Sequence, residues 1–363
     1  MRLAYIINST EGGGAAFPVP NLLRHVRACG HDVTVLALTR RDGRAIAPIE
    51  AAGIALRICP AGPADHAQAA LWLDHCLSEL RPSHLWTSLT RATLLGQAMG
   101  LRHRLPVASW QHSAALKPAN RRLLRVTQGL SRLWLADSRS VEAILGPFLG
   151  IPAERRLVWP LFIANRQQPR ARGWQPGETV RIASVGRLHP VKNYDRLIAA
   201  LGRLRAQPGL TPFSLTIAGD GPAYDALTAQ IAAAGLSDCV TLPGFVEDTE
   251  RFLADQHLYV QPSQREGLCL AAHEAMTAGL CVVASRVGEP AFTIENDVSG
   301  VLVPPDDTDA LAEALAALLR DPAHMASMGA HAREAVLQRF SPQAFHIAGD
   351  RFLQRFEDVG RTA

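Results

Sequence analysis

Apolar residues arrive in short runs, separated by segments of helical periodicity. The run at 3–7 (LAYII) predicts a buried strand, 20–29 a helix, and 32–38 (DVTVLAL) a second strand. Runs at 85–86, 107–110 and 133–136 continue the series, with helical patterns between them. Strands separated by helices of about ten or more residues form βαβ units and therefore a parallel sheet. The polar stretch 165–178 (NRQQPRARGWQPGE) interrupts the pattern and reads as a linker.

Beyond it the rhythm restarts. Strands are predicted at 180–185, 213–218, 240–242, 258–260 and 281–284, and helices at 194–204, 223–234, 271–278, 309–319 and 323–340. The reading is an α/β chain of two doubly wound, Rossmann-like domains, residues 1–164 and 179–344. A last helix, at 345–356, has no partner that periodicity assigns. In open parallel sheets ligands bind beyond the carboxyl ends of the strands, so a site between the domains is expected.

Composition narrows the class. A length of 363 residues suits two domains at roughly 100–200 residues each. With 48% hydrophobic and 19% charged residues, a disordered chain is excluded. The six cysteines form no C-x-x-C pair, which argues against a zinc ribbon or disulfide framework and for free thiols in a reducing compartment. The apolar run at 3–7 is too short for a signal peptide, and none approaches the roughly 18 residues of a membrane span. A cytoplasmic protein is expected.

Charge is divided unevenly. Residues 1–170 carry 21 Lys/Arg against 10 Asp/Glu, while residues 171–363 carry 16 against 23. Few aromatics and no nucleic-acid motif leave an anionic membrane surface or a phosphate-bearing substrate as partners of the basic half.

Two segments carry candidate chemistry. The loop after the strand at 180–185 holds Arg187 and Lys192, five residues apart and ahead of a helix. Such cations, with helix-terminal N–H groups, suit a diphosphate; the alternative is two solvated surface cations. The sharper feature is 265–276 (REGLCLAAHEAM), with Glu266 in a loop, Glu274 in the following helix, and Gly267 allowing close backbone approach. Carboxylates beside a phosphate site favour hydroxyl partners, as on a sugar or ribose; otherwise both are solvated acids on a helix edge. The turns at 219–222 and 244–246 are structural or lean on a base through backbone contacts. Gly13 and Gly14 follow the first strand without a full G-x-G-x-x-G, so a dinucleotide site is not supported. His112 follows the strand at 107–110, on the ligand side of the sheet.

Taken in order, these features resemble glycosyltransferase family 4, the retaining nucleotide-sugar-dependent transferases of GT-B fold. The resemblance rests on Gly13-Gly14-Ala15, the passage 29–35 (CGHDVTV), Gly186-Arg187-Leu188 with Lys192, Gly219-Asp220-Gly221-Pro222, Ala254-Asp255, Pro262-Ser263, the Glu266/Glu274 E-x7-E pair, Gly279 and the passage 300–305. It implies two domains facing across a cleft, with the last helix (345–363) crossing back to the first. It implies that Arg187 and Lys192 hold the donor diphosphate in place of a metal ion, so that no metal or cofactor is required. Glu266 would accept hydrogen bonds from the donor sugar and Glu274 from the ribose. The backbone at Gly267, Leu268 and Cys269 would approach sugar and phosphate, and that near Phe245 the base. His112 would line the cleft beside the sugar, and Gly13 and Gly14 would leave room for donor and acceptor.

Two passages depart from the family. Where Gly-Gly-x-Pro-Glu is usual this chain has Gly288-Glu289-Pro290-Ala291-Phe292, and the usual Pro-Asn-Gly-x-Asp is replaced by Trp159-Pro160-Leu161-Phe162-Ile163. The first is expected to reshape the donor loop and the second the interdomain hinge. The implied activity is transfer of a hexose-type sugar to a hydroxyl of a lipid-linked or polysaccharide acceptor. The alternatives are a GT-B-type nucleotide-sugar epimerase and a non-catalytic nucleotide-sugar binder. Residues 121–133 form a candidate helix whose Arg121, Arg125 and Arg132 fall in one stripe opposite Leu123, Val126 and Leu130. Either it lies on an anionic membrane, making the protein peripheral on the inner face, or its leucines face the core and its arginines water.

Overall fold

The computed structural model describes residues 1–113, 116–205 and 207–361. The chain divides into two compact units: Met1–Phe162 together with Pro342–Ala363, and Ile163–Ser341.

The first unit is built on seven strands: β1 (Arg2–Ile7), β2 (Asp32–Ala37), β3 (Ala55–Ile58), β4 (His84–Ser88), β5 (Val107–Gln111), β6 (Leu133–Ala136) and β7 (Arg156–Val158). Their order is β3-β2-β1-β4-β5-β6-β7, and every neighbouring pair is parallel. Helices cover both faces because both faces of the central strands are apolar, so alternation is lost and the strands read as continuous runs. β3 and β7 were not legible as runs; β3 is a half-exposed edge strand carrying Arg57, and β7 has three residues.

One face of this sheet is an aromatic layer. Trp86 stacks on Trp110 at 5.1 Å and on Trp159 at 5.7 Å between ring centroids. The final helix, Pro342–Arg361, lays Phe352 against Trp86 and Trp159, Phe345 against Trp159, and Phe356 against His84. That apolar stripe is the partner its periodicity did not reveal. Trp159, in the passage expected to reshape the interdomain hinge, is a fully buried member of the layer.

The second unit has six parallel strands: β8 (Val180–Val185), β9 (Phe213–Ala218), β10 (Val240–Gly244), β11 (Leu258–Gln261), β12 (Cys281–Ser285) and β13 (Val301–Val303). Their order is β10-β9-β8-β11-β12-β13. Val180, Ile182, Leu215, Leu258 and Val283 anchor a core shared with Leu197 and Leu201 of the helix Tyr194–Leu204. The chain order reverses between β8 and β11, which places the loops after these two strands side by side at the switch point.

Residues 165–178 are not a free linker. Ala171 N donates to Ala278 O at 2.8 Å and Arg172 N to Ala254 O at 3.2 Å, so the stretch caps the C-terminal carbonyls of two helices of the second unit. Its proline, glycine and arginine content marks irregular backbone, which composition does not distinguish from a detached chain. The helix read over 121–133 is also revised. It runs Pro118–Thr127, a 3₁₀ turn follows at Gln128–Leu130, and Arg132 lies beyond both, so Arg132 does not share a stripe with Arg121 and Arg125. Leu124 is the buried residue, while Leu123 and Val126 are exposed.

Candidate functional site

The loop leaving β8 (residues 186–193) is held by its neighbours rather than by secondary structure of its own. Gly219 and Gly221 press on it so closely that an added Cβ would fall 2.0 Å from Gly186 O and 2.3 Å from Leu188 O. Pro190–Lys192 form a 3₁₀ turn that His189 caps, and Asn193 starts the helix Tyr194–Leu204. This aims Lys192 back along the sheet while Arg187 stays exposed.

Beside it, the loop leaving β11 brings in Glu266. Lys192 Nζ donates to Glu266 Oε1 at 2.7 Å. The same oxygen accepts from Ser263 Oγ at 2.6 Å and Gln261 Nε2 at 3.2 Å, and Tyr259 OH donates to Gln261 Oε1 at 2.7 Å. Tyr259, Gln261 and Ser263 are two apart and carry strand alternation past the end of β11. That alternation is the signal by which a sequence reading finds Tyr259, Gln261 and Ser263 as the support of Glu266. Burial opposes the ammonium charge on Lys192, but Glu266 prevails and raises it above the ordinary lysine value, so Lys192 stays charged.

Gly267, Leu268 and Cys269 lead from Glu266 into the helix Leu270–Ala278. Cys269 adopts the left-handed conformation at φ +59°, uncommon for a side-chain-bearing residue, and turns the first helical amides toward the loop. Burial, and next Glu266, push its thiol well up, so it is held protonated. His273 Nδ1 and Nε2 lie 2.9 Å from Cys269 O and 3.0 Å from Thr293 Oγ1, pinning the helix start. Burial lowers His273 to about 4, so it is neutral.

Glu274 lies in the same helix. Burial, with a smaller contribution from Glu250, raises its carboxyl to about 7. The departing segment at 288–292 packs directly on this loop: Glu289 N donates to Gly267 O at 2.8 Å, and Glu289 pairs with Arg339. Gly288 stands at φ +66°, where an added Cβ would lie 2.5 Å from Glu266 Cβ. Phe245 follows β10 and is 45% exposed. The second unit thus brings Lys192, Glu266, Gly267, Leu268 and Cys269 together at its switch point.

The first unit has its own switch point, between β1 and β4. Gly13 and Gly14 lie in the loop after β1, where Gly13 O accepts from Ala16 and Phe17 and a Cβ on Gly13 would enter open space. Just past β5, His112 has Nε2 2.7 Å from Ser88 Oγ, its ring stacked on Trp110, and Nδ1 3.4 Å from Asp137 Oδ2. Burial raises the Asp137 carboxyl, against the pull of His112. Ser88 ends β4 and Asp137 directly follows β6, the strands on either side of β5, so only the sheet order brings them to His112.

Both units are doubly wound parallel α/β, the fold class of GT-B glycosyltransferases. A crystal structure of Anabaena Alr3699/HepE in complex with UDP-glucose superimposes with a TM-score of 0.83 at 21% identity, covering 98% of this chain and 100% of that one, which shows the shared fold. Residues 165–335 match the family model for glycosyl transferases group 1. It is 34% identical over 190 residues to D-inositol 3-phosphate glycosyltransferase of Saccharomonospora viridis, covering 49% of this chain and 43% of that protein. It is 36% identical over 179 residues to the amylovoran biosynthesis glycosyltransferase AmsK of Erwinia amylovora, covering 47% of this chain and 43% of that one. The matched region thus spans less than half the length of these two relatives.

Proposed function

We propose that this protein is a retaining glycosyltransferase that moves a hexose-type sugar from a nucleoside-diphosphate sugar to a hydroxyl of a lipid-linked or polysaccharide acceptor. One observation carries the reading: Lys192 and Glu266 meet at the switch point, beside the amides that open the helix Leu270–Ala278. Departure of a nucleoside diphosphate leaves negative charge on an oxygen. A charged, half-buried lysine and helix-terminal N–H groups stabilise that charge without reorganising, and Arg187 adds a second cation. In this reading the cations do the work of a metal ion, and no cofactor is needed.

Glu266 is assigned to the donor sugar. Its three hydrogen bonds fall on Oε1, and Oε2 accepts none from the described residues, so it remains to take a sugar hydroxyl. Glu274 is assigned to the ribose, the backbone of Gly267, Leu268 and Cys269 to sugar and phosphate, and Phe245 to the base. His112, held by Ser88, is assigned to sugar contact, with Gly13 and Gly14 leaving room for substrate. No protein nucleophile is invoked; retention follows from attack by the acceptor on the face the diphosphate leaves.

The relatives' names include amylovoran, colanic acid and lipopolysaccharide core biosynthesis, which supports a glycan acceptor. No helix among the described residues is long and apolar enough to cross a membrane. The exposed pair Leu123 and Val126, next to Arg122 and Arg125, supports peripheral contact with an anionic bilayer from the cytoplasmic side.

The test is a melting panel of UDP, GDP, ADP and dTDP with their sugars, followed by donor turnover. A nucleotide at about 100 times its Kd adds roughly 2.7 kcal/mol of stability. Release of the nucleoside diphosphate, lost in Lys192→Ala and Glu266→Ala, supports a transferase. Binding without turnover reduces the protein to a nucleotide-sugar binder, and an altered sugar with its diphosphate bond intact makes it an epimerase.

A further inference from the structure

The geometry points to a zinc-binding site in the first unit, formed by His25, Cys29 and Asp350 and separate from the loops described above. His25 lies in the helix Val19–Ala28 and Cys29 closes it, four residues on, so both donors face the same side. Asp350 comes from the final helix, Pro342–Arg361. Among the described residues, this is the His/Cys/carboxylate group whose donor atoms converge.

The spacing is that of one face of a tetrahedron. His25 Nε2 is 3.1 Å from Asp350 Oδ1 and 3.7 Å from Cys29 Sγ, and Cys29 Sγ is 3.4 Å from Asp350 Oδ1. Zinc–ligand lengths of about 2.0–2.3 Å in tetrahedral geometry require edges of about 3.3 Å between N and O and about 3.5 Å to sulfur. All three observed edges lie close to those values. Imidazole, thiolate and carboxylate together suit zinc better than magnesium or calcium, which prefer oxygen donors alone.

The surroundings favour a fixed ligand on one side and an open position on the other. The His25 side chain is 6% exposed, held by Trp159 and Phe345, and Gly349 lies so close that an added Cβ would stand 2.5 Å from Nε2. Its other nitrogen, Nδ1, is 2.8 Å from His346 Nδ1. When His25 Nδ1 donates there, Nε2 is left as a lone pair facing a carboxylate oxygen and a sulfur, an arrangement a cation satisfies; metal-bound imidazoles make the same bond through their other ring nitrogen. Asp350 is 61% exposed and Cys29 also reaches solvent, which leaves the fourth position to water. The bound ion would tie the helix Val19–Ala28 to the C-terminal helix.

The experiment uses the full chain, stripped with chelator and titrated with zinc by calorimetry and with cobalt by absorption. One equivalent of zinc is expected, with a raised Tm, and one equivalent of cobalt with a thiolate-to-cobalt band. Cys29→Ser should abolish that band, Asp350→Asn should weaken zinc binding, and His346→Leu should weaken it roughly 10- to 100-fold. Cys29, Asp350 and His346 are exposed, so their substitution leaves the core in place, and circular dichroism checks that each variant is folded. A hydrogen-bonded network with no metal would show no stoichiometric binding. Zinc binding that is unchanged in Cys29→Ser and Asp350→Asn would place the ion elsewhere and overturn the assignment.

Discussion

Lys192 Nζ lies 2.7 Å from Glu266 Oε1, and the two residues come from loops 74 positions apart in sequence. The contact exists because β8 and β11 are neighbours in the sheet. It holds a cation and a carboxylate in a fixed relation before any substrate arrives.

If Lys192 holds the departing diphosphate as proposed, Lys192→Ala should remove that charge stabilisation. A fall of roughly 100- to 1,000-fold in kcat is expected, the usual scale for losing one preorganised electrostatic contact. Steady-state release of the nucleoside diphosphate measures it. Unchanged kcat would remove Lys192 from the chemistry.

Glu274 gives a pH signature. Its carboxyl is raised by burial, and next by Glu250, to about 7 from an ordinary 4.5. Between those values the folded state holds a proton that the unfolded state has released, so Glu274 lowers stability as pH rises from 4.5 to 7. The full penalty, up to about 3 kcal/mol, applies above pH 7. Glu274→Gln should thus be more stable than the parent at pH 8 and equal to it near pH 4, as read by urea denaturation. Nucleotide affinity should rise in the parent as pH passes 7, because a carboxylate accepts from the ribose better than an acid. A flat profile would remove Glu274 from the ribose.

Gly288→Ala probes the segment that departs from the family pattern. The left-handed backbone and the contact with Glu266 together should cost about 1–3 kcal/mol. The same change should raise the donor KM, because Glu266 and Gly267 must shift. Loss of stability with an unaltered KM would make the segment a brace for the fold only.

Leu123→Ser with Val126→Ser tests the exposed apolar pair. Neither side chain is buried, so stability should change by less than about 0.5 kcal/mol. Retention on vesicles rich in anionic lipid, at low salt, should fall toward that on neutral vesicles. If the parent shows no preference for anionic vesicles, the membrane reading fails.

His112 depends on its neighbours as well as on its own position. Ser88→Ala should leave Nε2 without its 2.7 Å partner and lower turnover, while the melting temperature moves little. A drop in melting temperature with unaltered turnover would make the pair structural.

Much of this was legible in the sequence, because it is local. Continuous apolar runs marked the central strands of both sheets, and helical periodicity placed the helix Tyr194–Leu204 at its observed ends. The loop and helix start that bring Lys192 and Glu266 to the switch point were legible too, since loop, glycine and helix start are written in neighbouring residues, while the roles given to Arg187, Lys192, Glu266 and Glu274 came from the family resemblance. What stayed hidden depends on contacts distant in sequence. β3 and β7 are short or half-exposed and form because a sheet edge recruits them. Residues 165–178 read as a linker because composition reports irregular backbone and not the carbonyls it caps. Arg132 left its predicted stripe because the helix stops at Thr127, six residues before the end that periodicity predicts. Ser88 and Asp137 beside His112, and Asp350 beside His25 and Cys29, were set by tertiary packing. Strand order and helix docking, which no local pattern encodes, decide which side chains meet.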